Sequence, residues 1–211
     1  MLATKTRRVG VFIDVQNMYY SARNIHDRKV NFANIVKETV GDADLIRALA
    51  YTISTKGGEE EAFFDALRKA GIEVVSKELL EYDSGAKKGD WDVGVTIDIV
   101  RMLDMLDVVV LVSGDGDFVP LVNYVRSRGR VMHVASFRES TSNALVEATD
   151  VYTNLSADKK TFLIGPYRKA TKTTNATKDE LNESLEADFM PPTSSDDPEE
   201  VQENRSRRLS F

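Results

Sequence analysis

Residues Val108–Val112 read Val-Val-Val-Leu-Val, five apolar residues in a row without a polar interruption. A strand with one face in water alternates apolar and polar side chains. A continuous run belongs instead in a sheet covered on both faces, and such sheets are built from parallel strands. Parallel strands need long crossover connections, usually helices, so this one segment already implies an α/β architecture.

The rest of the chain agrees. Strands are expected at Val9–Val15, Leu45–Ile53, Ile72–Lys77 and Val131–Ala135, with a short edge strand at Val151–Leu155. Between them lie helical patterns at Phe32–Val40, at 59–70 with Gly71 placed to end it, at 90–105 with Asp90 as N-cap, at 118–127 stopped by Gly129, and at 140–148. Strands alternating with helices imply parallel pairing through right-handed crossovers. The predicted fold is a three-layer α/β/α sandwich around a mostly parallel central sheet.

Composition shifts near Gly165-Pro166. Beyond it come Thr, Ser, Asn, Asp and Glu with three prolines and few large apolar residues, too little to build a core. The chain is therefore read as a domain over residues 1–165 and a disordered acidic tail over 166–211. Leu181, Leu185 and Phe189 at helical spacing make the tail a candidate dock for a protein partner.

The chain has 211 residues, no cysteine, two histidines and a net charge of −6. Disulfides, thiolate metal sites and cysteine nucleophiles are excluded, and a histidine-built metal site nearly so. No apolar run reaches the length of a membrane span, and the start lacks the apolar stretch of a signal peptide. A cytoplasmic location is expected, with no membrane partner and with self-association left open.

What remains for chemistry is carboxylate. In an open parallel sheet, ligands bind outside the carboxyl ends of the strands. Asp14 and Asn17 follow the first strand, and Ser113, Asp115 and Asp117 follow the fourth. Gly114 and Gly116 allow a sharp turn there. Asp117 is placed either to cap the next helix or to join a site, whereas Asp115 has no comparable structural role in the sequence. Asp92 falls in the first turn of a helix; Asp98 lies about 120° round it, so Asp92 is read as a ligand and Asp98 as its support. Converging carboxylates repel one another unless a cation neutralises them, and oxygen-only ligands select Mg²⁺ or Mn²⁺. Such ions retain water and accept phosphate oxygens, which suits phosphodiester hydrolysis.

The segments Phe12-Ile13-Asp14-Val15-Gln16-Asn17, Lys88-Gly89-Asp90-Trp91-Asp92-Val93, Asp98 and Ser113-Gly114-Asp115-Gly116-Asp117-Phe118 together resemble NYN domains of the LabA-like group, relatives of the PIN-domain nucleases. The resemblance covers about residues 8–155. It implies a PIN-like fold and a metal-dependent ribonuclease site, with Asp14, Asp92, Asp115 and Asp117 as catalytic metal carboxylates and Asn17 and Ser113 positioning them or the phosphate. The expected substrate is single-stranded RNA. Lys87 and Lys88 are its first candidate phosphate contacts, followed by Arg126, Arg128, Arg130 and Arg138, with Tyr19, Tyr20 and Phe137 as candidate stacking residues.

Two other readings compete. Gly114-Asp115-Gly116-Asp117 resembles the metal end of haloacid-dehalogenase-type phosphatases, but those need a second acid where this chain has Gln16, and without it the leaving group lacks a proton donor. The alternative outside enzymology is a non-catalytic RNA- or protein-binding regulatory module on a PIN-like fold.

Overall fold

The structure is a computed structural model that describes residues 6–54, 60–78, 80–81, 87–88 and 91–166. The chain divides into two units, Met1–Leu80 with Lys88–Lys172, and Glu81–Lys87 with Thr173–Phe211. The first unit carries the main sheet. The 166–211 tail and its docking segment lie outside the described residues, Pro166 excepted.

In chain order the elements are β1 (Arg8–Asp14), α1 (Val15–His26), β2 (Arg28–Val30), α2 (Phe32–Val40), β3 (Asp44–Ser54), α3 (Glu61–Lys69) and β4 (Glu73–Glu78). Two short extended segments follow, β5 (Leu80–Glu81) and β6 (Lys87–Lys88). Then come α4 (Asp92–Met102), β7 (Val108–Val112), α5 (Val119–Ser127), β8 (Val131–Ser136), α6 (Asn143–Ala148), β9 (Val151–Asn154), α7 (Lys159–Phe162) and β10 (Leu163–Pro166).

Six strands form one sheet in the order β4-β3-β1-β7-β8-β9, and every neighbouring pair is parallel. The sheet grows one way from β1 through β3 to β4, then starts again on the other side of β1 with β7. That reversal opens a crevice between the carboxyl ends of β1 and β7, the usual ligand position in doubly wound sheets. Ile13 pairs with Val112, so the residues that follow them, Asp14 and Ser113, emerge side by side at the crevice.

Side-chain alternation divides the core into two layers. Val9, Val11 and Ile13 of β1 pack with Val108, Val110 and Val112 of β7 against Met18 and Ala22 of α1 and Ile35 of α2. On the opposite face Phe12, Val109 and Leu111 pack against Val95 and Ile99 of α4 and Leu121, Val122 and Val125 of α5. All five residues of β7 are buried, as the unbroken apolar run requires. The three-layer α/β/α sandwich with a parallel central sheet is thus the observed architecture.

Several local expectations need correction. Helix α1 was not legible: Val15–His26 carries only Val15, Met18, Ser21 and Ala22 inward, among polar residues. The expected helix at 90–105 begins at Asp92, with Trp91 at its N-cap position and no side-chain cap, and ends in a 3₁₀ turn at Leu103–Met105; Asp90 lies outside the described residues. Strands β2 and β10 pair antiparallel beside the main sheet. Gly71 and Gly129 terminate α3 and α5 with φ of 77° and 73°, a backbone that a side chain at Cβ disfavours.

Candidate metal centre

Asp14 ends β1 and caps the helix that follows. Its Oδ1 accepts from the backbone N–H of Asn17 at 3.1 Å, and its Oδ2 accepts from the Ser113 hydroxyl at 3.3 Å. Ser113 is fully buried and also accepts the backbone N–H of Asp115 at 3.2 Å. The side chain of Asn17 accepts the Gly114 N–H at 2.9 Å. These bonds tie the start of α1 to the turn after β7, across the crevice. Asn17 and Ser113 therefore hold the backbone and the carboxylates of both strand ends in register.

The turn itself is crowded. A Cβ on Gly114 would lie 2.8 Å from the Ser140 carbonyl oxygen and 3.2 Å from the Thr141 Cα. Glycine is required because another backbone segment passes directly against it. Within the turn the choice left open for Asp117 is decided. Asp115, not Asp117, is the cap: its Oδ1 accepts the Asp117 N–H at 2.9 Å, at the start of a short 3₁₀ helix over Gly116–Phe118. The expectation that Asp115 lacked a structural role was wrong. A one-turn 3₁₀ helix ahead of α5 shifts the cap position two residues upstream.

The first turn of α4 brings Asp92 to this turn. Asp92, Asp115 and Asp117 each offer a carboxylate oxygen lying within 4.8 Å of the other two. Asp14 stands beside the group: the charges of Asp92 and Asp115 both act on it, although burial is the larger influence. Together they push its carboxyl up to about 6, against the opposing hydrogen bonds from Asn17 and Ser113. Each of these groups donates only oxygen, they are close, and they are mutually repulsive. That donor set fits a hard divalent cation and offers nothing to a soft one.

Asp98 is placed elsewhere. Its Oδ2 accepts the Tyr51 hydroxyl at 3.1 Å, and it pairs with Arg101 at 3.7 Å. Tyr51 is buried, and burial first, then the Asp98 charge, hold its phenol protonated. Asp98 thus satisfies a buried hydroxyl next to the site, since Tyr51 is the β3 register partner of Asp14. The neighbouring Trp91 donates its Nε1–H to the Thr52 carbonyl at 2.7 Å, anchoring the start of α4 to the end of β3.

The cationic candidates divide. Lys87 and Lys88 form β6, and their side chains lie outside the described residues. Arg126 pairs with Asp150, Arg128 with Asp104 and Arg130 with Asp107. Among the described residues Arg138 bonds only to neutral oxygens of Thr141 and Asn143. Phe137 is not a stacking residue: it is fully buried, edge-on to His26. Lys77, stacked over Trp91, was not foreseen, because nothing local in the sequence links β4 to the start of α4.

The family model of the NYN domain matches residues 8–156. The chain belongs to the NYN-domain family. The match contains every acidic residue of the cluster. This NYN-domain chain is 28% identical over 174 residues to the low amplitude and bright protein LabA of Synechococcus elongatus, covering 77% of this chain and 90% of the relative. It is also similar to the crystal structure of a protein of unknown function from Vibrio parahaemolyticus, with a TM-score of 0.71, 30% identity, and coverage of 78% of this chain and 100% of the other. The NYN domain described here is thus a member of the LabA-like group within the PIN-like nuclease superfamily. No helix among its described residues is long and apolar enough to cross a membrane.

Proposed function

We propose that this protein is a metal-dependent ribonuclease acting on single-stranded RNA. The observation that carries the reading is the meeting of Asp92, Asp115 and Asp117 within 4.8 Å at the crevice between β1 and β7. Three carboxylates at that separation repel one another, and a cation between them relieves the repulsion. Asp92, Asp115 and Asp117 would hold Mg²⁺ or Mn²⁺, with Asp14 next to them. Bound there, such an ion supplies an activated water and stabilises charge developing on a phosphodiester.

The chain's own residues set up that chemistry. Ser113 and Asn17 tie the two strand ends together and so hold Asp14 beside the turn that carries Asp115. Asp115 is held through Oδ1 by the Asp117 N–H. Asp14, raised to about 6 by burial and its neighbours, is ionised at neutral pH only at a cost that a cation offsets. No side-chain nucleophile is needed, in keeping with a chain that has no cysteine.

The same reading places the catalytic domain within residues 1–165 in the cytoplasm, with Lys87 and Lys88 contacting substrate phosphates, Asp98 holding the Tyr51 hydroxyl beside the site, and the acidic tail available to a protein partner or a second copy. The experiment is cleavage of mixed single-stranded RNAs with Mn²⁺, Mg²⁺ or chelator, with a small aryl phosphate as control substrate. RNA cleavage that needs the ion supports the reading; turnover of the aryl phosphate alone assigns a phosphatase, and RNA binding without cleavage assigns the regulatory module.

A further inference from the structure

The acidic cluster stands between two cations that share the carboxyl edge of the sheet. On one side Lys77, near the end of β4, holds its Nζ 4.6 Å from the centre of the Trp91 ring, and Trp91 directly precedes Asp92. On the other side Arg138 follows β8. Its Nη1 donates to the Thr141 carbonyl at 3.3 Å and its Nη2 to Asn143 Oδ1 at 2.5 Å. Both acceptors are neutral. Among the described residues Arg8, Arg47, Arg68, Arg101, Arg126, Arg128 and Arg130 each reach a carboxylate, whereas Arg138 does not; Arg28 also bonds neutral carbonyls, but those of Lys159, Leu163 and Gly165 rather than of the loop against the Asp115 turn.

The loop that fixes Arg138 is pressed against the catalytic turn. Ser142 N–H donates to the Gly114 carbonyl at 3.0 Å, and a Cβ on Gly116 would lie 2.9 Å from Ser142 Oγ. Arg138 is therefore held beside the turn that carries Asp115 and Asp117 without being neutralised by either. A guanidinium oriented by neutral acceptors keeps its charge and its remaining donors for an external anion. The strand order places Lys77 and Arg138 four strand spacings apart, about 19 Å, with the β1–β7 crevice between them.

We propose that the RNA strand lies across the carboxyl edge of the sheet, at right angles to the strands, with Arg138 holding a phosphate on one side of the cut and Lys77 a phosphate on the other. This rests on the ribonuclease reading above and adds to it a direction for the substrate and two residues that grip it. An acidic cluster alone repels a polyanion; a cation on each flank lets the chain approach while the scissile phosphate stays over the carboxylates.

The test is binding of a mixed-sequence single-stranded RNA to the Asp115→Asn protein, which separates binding from cutting. Between about 50 and 200 mM salt, Arg138→Gln reduces the slope of log K against log salt by about 0.7 and weakens binding about tenfold. Lys77→Met, which keeps an apolar stem on Trp91, has the same effect on the slope. Asn143→Ala loosens the arginine without removing its charge and leaves the slope intact. In the cleaving protein Arg138→Gln raises KM about tenfold while kcat changes less than about threefold, and Arg138→Lys recovers part of the loss. Unchanged slopes in both charge variants, while the parent protein still cuts RNA, overturn the substrate path and leave the ribonuclease reading standing. An Asn143→Ala effect equal to that of Arg138→Gln makes Arg138 a structural residue and also overturns it. A parent protein that neither binds nor cuts RNA removes both claims.

Discussion

Asp14→Asn should stabilise the metal-free protein, and only above a particular pH. In the folded chain the Asp14 carboxyl is raised from 3.8 to about 6, by burial first and then by Asp92 and Asp115. A raised acid binds its proton more tightly folded than unfolded. Its contribution is therefore fully present below about pH 4 and is lost as pH rises through about 6. At 1.36 kcal/mol per tenfold change, the difference corresponds to at most about 3 kcal/mol, and about 1–3 kcal/mol once partial exposure of Asp14 is allowed for. Asparagine removes this penalty while keeping the cap, because its carbonyl oxygen still accepts the Asn17 N–H and Asn serves as well as Asp at an N-cap. The new amide can donate to the Ser113 hydroxyl. In chelator near pH 7.5 the variant should melt about 2–10 °C above the parent, and near pH 4 the two should coincide. Urea melts across that range measure the gap directly. A variant less stable than the parent at neutral pH, or a gap that does not change with pH, refutes the electrostatic account of Asp14.

Gly114→Ala should destabilise the fold by about 1–3 kcal/mol and abolish activity, because its Cβ meets the Ser140 backbone at 2.8 Å rather than a movable side chain; thermal melting and an RNA cleavage assay read the two effects. Asp115→Ala should lose about 1 kcal/mol more stability than Asp115→Asn, since only Asn can still accept the Asp117 N–H; equal losses in denaturant melts would remove the cap from the account. Tyr51→Phe should lower stability by about 1 kcal/mol with little change in metal affinity, because Asp98 bonds the phenol rather than joining the cluster; a large fall in Mn²⁺ affinity by calorimetry would place Asp98 in the site. Mn²⁺ should raise the parent's melting temperature, by about 2.7 kcal/mol of stabilisation at a hundredfold excess over Kd, and raise Asp115→Asn less; equal shifts would exclude Asp115 as a ligand.

The sequence declares its sheet because burial on both faces leaves no choice of residue. Val108–Val112 is predicted and observed over the same residues, and Asp14, Asp92, Asp115 and Asp117 are all visible as acids at expected strand ends and helix starts. Helix α1 was hidden because its inward stripe is narrow and its other residues are polar. The capping roles at Asp115 and Asp117 could not be assigned, since one turn of 3₁₀ helix decides which acid faces the backbone. Phe137 is a candidate stacking residue or a core residue in the sequence, and the structure buries it. The arginines at 126, 128 and 130 are candidate phosphate contacts in the sequence, but each finds an acid more than twenty residues away, brought close by tertiary packing. Long-range pairing decides which cations remain available, and no local pattern reports it.

The most direct measurement is the rate of single-stranded RNA cleavage by purified protein with Mn²⁺, beside Asp115→Asn at matched folding. The acidic cluster as a metal-dependent catalytic centre predicts cleavage by the parent that stops with chelator and returns with Mn²⁺, and a variant that binds RNA but does not cut. Cleavage that persists equally in chelator or in Asp115→Asn would contradict it.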